Sequence, residues 1–365
     1  MTETADLAAA DATPYAGLTP QIMLDAVEAF CAETAPGLRC SGGFLALNSY
    51  ENRVIAAELD GEFWGTDALV AKFYRPGRWT DDAIREEHAF VETARDAEIL
   101  VVAPLRRLPD DPETTLFTFA GHRLALFPRR RGRAAEMRDA EDYRQMGRLL
   151  GRLHALGAAA PFRHRIEIGP ETYGEAFIDA VADGELVPED LRDNYLDAAE
   201  DLLAAVWDRW DAPRVQRIHG DCHLGNVLVD AGGPFLVDFD DCGMGPAVQD
   251  LWMLTSGEAA ESGAQFDLLL EGYRTFAPFD DAERALVEPL RALRMIRHNG
   301  WLAQRWADPA FPRAFPQAAT AQYWQEQIGA LRDQLGRMDD VPGAPARAAD
   351  PPGAGPFGWE WEGED

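Results

Sequence analysis

The stretch RIHGDCHLGNVLVDAGGPFLVDFDD, residues 217–241, decides how this chain is read. Two short apolar runs, NVLV and PFLVDF, flank Asp230, Ala231, Gly232 and Gly233, the pattern of a β-hairpin closed by a tight turn. His219, Asp221, His223, Asn226, Asp238, Asp240 and Asp241 all fall in this one stretch, and the hairpin brings its two ends together. Asp238 follows Phe235, Leu236 and Val237, so it ends a buried strand, where an uncompensated carboxylate costs several kcal/mol by desolvation. A cation is the natural partner. If it is Mg2+, hard oxygen donors and retained waters are expected, and Asp238 with Asn226 suits a site completed by substrate phosphates. Zinc on His219, Cys222, His223 and Cys242 competes, although their spacings match no common zinc pattern. A third reading has these Asp and Asn residues merely capping turns.

Outward from the hairpin, the pattern of apolar residues changes from strands to helices. Alternation in FLALNSYENRVIAAEL and ALVAKFY predicts an antiparallel meander with a turn at Asp60 and Gly61. DDAIREEHAFVETARDAE has the helical period, and HRLALFP, residues 122–128, is a further strand. From about residue 137, Met146, Leu149, Leu150, Leu153 and Leu156 recur at helical spacing, as do apolar residues in 190–208, 263–277, 281–300 and 318–338. The expected architecture is α+β: a small antiparallel β-sheet lobe with one helix over residues 19–127 and a larger, mainly helical lobe over 128–340. A hinge is expected near Phe127 to Arg133. Residues 1–18 and the acidic, Pro/Gly-rich 341–365 are expected to be tails.

Composition narrows the function. At 365 residues with 47% hydrophobic content the chain can bury a large core. Its 63 acidic against 34 basic residues, a formal charge of -29, argue against nucleic acid and anionic membranes as partners. Cys31, Cys40, Cys222 and Cys242 are scattered, which fits reduced thiols in a cytoplasmic protein. The N-terminus has no basic, apolar leader pattern, and no 18-residue apolar run follows, so a soluble, unexported protein is expected.

Lys72 is the only lysine; all the other cations among the 34 are arginine. It follows Leu69, Val70 and Ala71, so its stem leaves a buried strand and its charge needs a partner. On the next helix, residues 81–96, Glu87 falls in the middle of the apolar arc formed by Ala83, Ile84, Phe90, Val91 and Ala94. Pairing Lys72 with Glu87 satisfies both and fixes an ammonium able to touch two phosphates, as in the strand-lysine and helix-glutamate pair of kinases. Glu86, on the edge of the arc, is the lesser candidate. With Lys72 followed by Phe73 and no GxxxxGK[ST], a Walker-type phosphate site is excluded.

HGDCHLGNVLV followed by FLVDFDD resembles the paired H-G-D-x-H-x-x-N and (I/V)-D-F/L-(D/E) motifs of the aminoglycoside phosphotransferase and choline kinase-like group, relatives of protein kinases. Within that group, LNSYENRV, VAKFYRPGRW, the hairpin, GPAVQDLWML and RWADPAFPRAFP together resemble bacterial serine/threonine protein kinases of the stress response. The similarity runs from about residue 20 to about 340. It implies a kinase-like two-lobed fold, ATP and Mg2+ as cofactors, Asp221 as the catalytic carboxylate, and Asn226 and Asp238 as metal ligands. It also implies that Lys72 and Glu87 serve the phosphates and that Ser49 contacts ATP. His219 and Asp250 support the catalytic loop. LNSYENRV departs from the kinase pattern, for it has no glycine, so the Ser49 hydroxyl and nearby N–H groups must replace a glycine-rich cover. The residue at the place of the DFG glycine, two after Asp238, is Asp240, which argues against a DFG-style flip.

The resemblance implies a protein substrate phosphorylated on Ser or Thr, and a monomeric enzyme. Two alternatives stay open: the same chemistry on a small alcohol, amino alcohol or aminoglycoside, and a nucleotide-binding pseudokinase. The basic island FPRRRGR, with Arg129, Arg130, Arg131 and Arg133, either attracts an acidic partner segment or is a solvated loop. His298 to Trp306 either walls the acceptor cleft or belongs to the core.

Overall fold

The computed structural model describes residues 14–47, 49–256 and 259–340; most of the two expected tails lies outside them. The chain begins with α1 (Pro20–Thr34), which Thr19 caps by accepting from the Ile22 N–H and Pro20 opens. Strands β1 (Cys40–Leu47), β2 (Arg53–Phe63) and β3 (Thr66–Phe73) follow, then α2 (Asp81–Asp96), β4 (Phe117–Phe119) and β5 (His122–Pro128). These five strands form one antiparallel sheet in the order β1-β2-β3-β5-β4. The β2–β3 turn is Trp64-Gly65, not Asp60-Gly61. Both turn residues have positive φ, 53° and 72°, the geometry of a two-residue hairpin loop, and Phe63 pairs with Thr66 across it. Asp60 and Gly61 stay within β2.

After the connection at 129–132 the helical lobe contains β6 (Arg133–Ala134), α3 (Ala140–Gly157), α4 (Ala176–Asp183), α5 (Glu189–Trp207), β7 (Gln216–Ile218), β8 (Val227–Asp230), β9 (Gly233–Leu236) and β10 (Gly243–Gly245). It closes with α6 (Val248–Trp252), α7 (Ala259–Tyr273), α8 (Val287–Arg305), α9 (Ala310–Ala314) and α10 (Ala321–Asp340). The expected hairpin is β8–β9, in register from Val227 opposite Leu236 to Asp230 opposite Gly233, with β6 added on its outer edge. α3 and α7 approach so closely that a Cβ at Gly147 would lie 1.9 Å from the Leu269 carbonyl oxygen.

Each lobe has its own core. In the small lobe, Met23, Ala26, Val27, Phe30 and Cys31 of α1 pack on Ile55, Leu69, Phe73 and Leu126 of the sheet. Tyr15 and Leu18, which the sequence reading left in the tail, also pack there. In the helical lobe, Leu149, Leu150 and Leu153 of α3 meet Val248 and Leu251 of α6, Leu269 and Tyr273 of α7, and the hairpin's Val227 and Leu236. The hairpin therefore rests on a helical platform. Among the described residues no helix is long and apolar enough to cross a membrane.

Candidate active site

Sheet and hairpin face each other across a cavity of about 460 Å³. Val54 and Val70 line it from the small lobe, Leu228 and Val237 from the hairpin, and Phe127 to Gly132 along the connection. Its polar lining includes five residues singled out from the sequence: Ser49, Lys72, Glu87, Asn226 and Asp238. The apolar walls suit a flat aromatic ring, and the polar groups gather where a charged group could follow it.

Lys72 and Glu87 are both buried, and they approach to 3.5 Å. The nearest carboxylate is nevertheless Asp240, whose Oδ1 lies 2.7 Å from the Lys72 Nζ, while Asp238 stands at 3.5 Å. Burial works against the ammonium, but Asp240 first and Glu87 second outweigh it, so the Lys72 pKa lies above its ordinary value. Burial pushes the Glu87 carboxyl up, since Lys72 and Arg165 only partly offset it. Asp240 goes the other way: burial resists, yet Arg78 and Lys72 hold it as the anion. Arg78 donates to Asp240 and, at 2.7 Å, to Asp241. Arg165 donates to the carbonyls of Cys242 and Asp240, at 2.8 and 2.5 Å, and lies 3.7 Å from Glu87.

Asp238 has φ of 60°, in the left-handed region that a non-glycine residue enters only under constraint. The constraint comes from both sides: Val237 donates to the Asn226 carbonyl, and the chain beyond is tied to Arg78 and Arg165. The Asp238 side chain is half exposed, with room for a further partner.

Asp250 of α6 shapes the loop 219–226 by accepting from the backbone N–H groups of His219, at 2.7 Å, and Gly220, at 2.8 Å. His154 of α3 reaches the same buried carboxylate at 2.9 Å. His219 in turn contacts the Val237 carbonyl through Nε2, at 3.0 Å. The loop closes tightly: Gly220 has φ of +83°, and a Cβ there would meet the Asp241 carbonyl oxygen at 2.1 Å. Asn226 donates its amide to the Asp221 carbonyl at 3.0 Å, which leaves its amide oxygen as the group available to a cation.

The Asp221 carboxylate accepts from Arg294 Nη1 of α8 at 2.7 Å and lies 3.4 Å from His223 Nε2. Burial raises its pKa less than His223 and Arg294 depress it, so it is held far below the usual carboxylate range. Arg78 lies within VAKFYRPGRW, where a lone arginine beside Pro and Gly carries no sign of the carboxylates it meets. Arg165 and Arg294 stand in segments with no motif, and only the fold reveals their roles. The basic island is largely spent inside the chain, since Arg130 pairs with Asp230 and Arg131 with Asp67, both at 2.7 Å. Trp301 joins neither alternative cleanly: half-buried, its indole N–H donates to Glu51 of the small lobe.

The sequence pattern of the phosphotransferase enzyme family matches residues 45–287. The chain belongs to that family. Stress response kinase A of Escherichia coli K12 is 41% identical over 309 residues, 84% of this chain and 91% of the relative. Serine/threonine protein kinase RdoA of Salmonella typhimurium is 39% identical over 336 residues, covering 91% and 97%. Among solved structures, amicoumacin kinase hAmiN in complex with AMP-PNP, Ca2+ and Ami aligns with a TM-score of 0.65 at 20% identity over 88% of this chain and 95% of that one. A microcompartment-associated aminopropanol kinase follows at 0.62 and 18%, covering 87% and 99%. The phosphotransferase thus has the kinase-like fold expected from its sequence, a small antiparallel sheet lobe on a larger helical one.

Proposed function

We propose that this phosphotransferase is an ATP-dependent serine/threonine protein kinase of the cytoplasm, active in stress response, assisted by Mg2+ and monomeric. The observation that carries the reading is the Asp221 carboxylate, engaged at 2.7 Å by Arg294 beside the cavity lined by Lys72, Asn226 and Asp238. Lys72, oriented by Glu87, would hold the α- and β-phosphates, and Ser49 would contact the nucleotide from the loop above. Asp238 and the amide oxygen of Asn226 are hard oxygen donors that fit Mg2+, which when bound supplies charge neutralisation between the β- and γ-phosphates. Asp221 would orient the acceptor hydroxyl as its oxygen bonds to the γ-phosphorus and the bond to the leaving ADP oxygen breaks. The hydroxyl proton passes to Asp221. A depressed pKa is tolerable there because in a loose transfer the proton moves late.

A small amine acceptor is the second reading, as in the aminopropanol kinase. The side chains bonded to Asp221 oppose it: Arg294 and His223 sit where an ammonium would need carboxylates or aromatic faces. The relatives near 40% identity, one of them named a serine/threonine protein kinase, favour a protein hydroxyl. A pseudokinase is disfavoured by the presence of Lys72, Glu87, Asp221, Asn226 and Asp238 together.

The test is peptide mass spectrometry after incubation with Mg-ATP and a generic protein substrate, beside Asp221→Asn and Lys72→Arg controls. Phosphate on Ser or Thr in the wild type, with at least about a 100-fold loss in either control, is the expected result. Phosphorylation of amino alcohols but of no protein would overturn the acceptor assignment, and ATP binding without transfer to either would favour the pseudokinase.

A further inference from the structure

The loop that would cover the phosphates has no glycine, so something outside it must fix its position. Glu51 lies two residues beyond Ser49, and its side chain is buried at the seam between the lobes rather than in the cavity. Three side chains from two elements converge on its carboxylate. Arg75, just after β3, reaches Oε2 with Nε at 2.8 Å. Arg305 of α8 spans both oxygens with its Nε at 3.0 and 3.2 Å, and Trp301 of α8 donates its indole N–H to Oε1. Arg75 is itself anchored by Asp308 at 2.6 Å and donates its backbone N–H to Asn52 Oδ1 at 3.2 Å. The Glu51 carbonyl accepts from the Tyr15 hydroxyl at 2.6 Å. The next loop contact faces the cavity: Ser49 Oγ accepts from the Asn52 N–H at 3.2 Å.

We infer that Glu51 is a positioning residue, the anchor of an interlobe clasp that holds Ser49 and its loop over the nucleotide phosphates from the helical lobe. The inference rests on the nucleotide-kinase reading above and adds how a loop without glycines is placed. A buried carboxylate whose two oxygens are held by three donors is a rigid joint, since moving it means breaking several bonds at once in a poorly solvated place. Ser49 is therefore set by α8 rather than by flexibility of its own loop. The clasp acts mainly on the phosphate end of the site, because most of the apolar wall, at Val70, Phe127, Leu228 and Val237, belongs to other elements.

Glu51→Gln removes the charge at constant volume, and Arg305→Gln leaves Glu51 in place while cutting the same joint. Affinities for adenosine and ADP, measured by calorimetry on the full chain, separate the two ends of the site. Both variants should weaken ADP about 10-fold and raise the ATP KM alike while adenosine binds as to the wild type. Unchanged ADP affinity in both variants, or equal loss of adenosine and ADP, would overturn the clasp. A wild type that binds neither ligand would instead overturn the nucleotide reading, and the clasp with it.

Discussion

His88 lies one residue beyond Glu87 on α2 and is fully buried between two hydroxyls, the Tyr74 OH at 2.8 Å from Nε2 and the Thr115 Oγ1 at 2.9 Å from Nδ1. Burial first, then Lys72, Arg165 and Arg85, lower its pKa to about 3, with Asp240 the opposing influence. The folded pKa lies below the unfolded one, so the unfolded chain takes up a proton that the native state refuses. The stability this neutral imidazole preserves is complete above about pH 6.5 and is lost as pH falls from there toward 3. Replacing His88 by Asn removes the titration. Denaturant unfolding between pH 6 and 4 should then show a pH slope shallower than the wild type by about 1.4 kcal/mol per pH unit; equal slopes would refute a buried neutral histidine. Nothing in the sequence announced this site, because a histidine on an apolar arc is identical on paper whether it meets hydroxyls or solvent. Lys72 and Glu87 were legible for the opposite reason: each is a charge in an apolar pattern, and burial makes a partner obligatory. That Asp240 approaches Lys72 more closely than Glu87 does was not legible, since it depends on the left-handed backbone at Asp238.

At the scale of elements, the hairpin and the long helices followed from periodicity because each has one buried face. The helix α1 has an equally clear signature, Thr19-Pro20 at its start and Met23, Ala26, Val27, Phe30 and Cys31 at helical spacing. β7, β10 and β6 were illegible for a physical reason: strands of two or three residues carry too little alternation, and their partners lie far away in sequence. α1 matters to the site as the backing of the sheet that carries Lys72. Its Phe30 stacks on Phe117 with ring centroids 5.8 Å apart and meets Phe63 edge-on at 6.4 Å. Phe30→Ala should cost about 3–5 kcal/mol in denaturant unfolding followed by circular dichroism. A cost below about 1 kcal/mol would mean that α1 is peripheral to the small lobe rather than part of its core.

For the whole molecule, the relevant contrast is between a surface that repels itself and a few buried pairs that join the lobes. The chain carries a formal charge of -29, and many of its carboxylates are exposed. The loop after β3 supplies part of the counterweight: Arg75 reaches Asp308 of the helical lobe as well as Glu51 of its own, and Arg78 reaches Asp240 and Asp241, so two of the anchors between the lobes are arginines spaced three residues apart. Both guanidinium groups are buried or nearly so. Salt screens exposed charges over about 8–10 Å at physiological ionic strength and buried pairs much less. Raising NaCl from low concentration to about 0.5 M should therefore relieve surface repulsion while leaving the lobe anchors in force. The thermal midpoint, followed by differential scanning fluorimetry, is expected to rise by at least about 1 °C, the shift that ~1 kcal/mol gives at about 2 cal/mol/K of unfolding entropy per residue over this chain. A fall in the midpoint would mean that screened ion pairs, not net repulsion, dominate the stability. Exposed pairs such as Arg131–Asp67 and Arg144–Glu271 would then be the ones that screening weakens, since the interlobe arginines are buried.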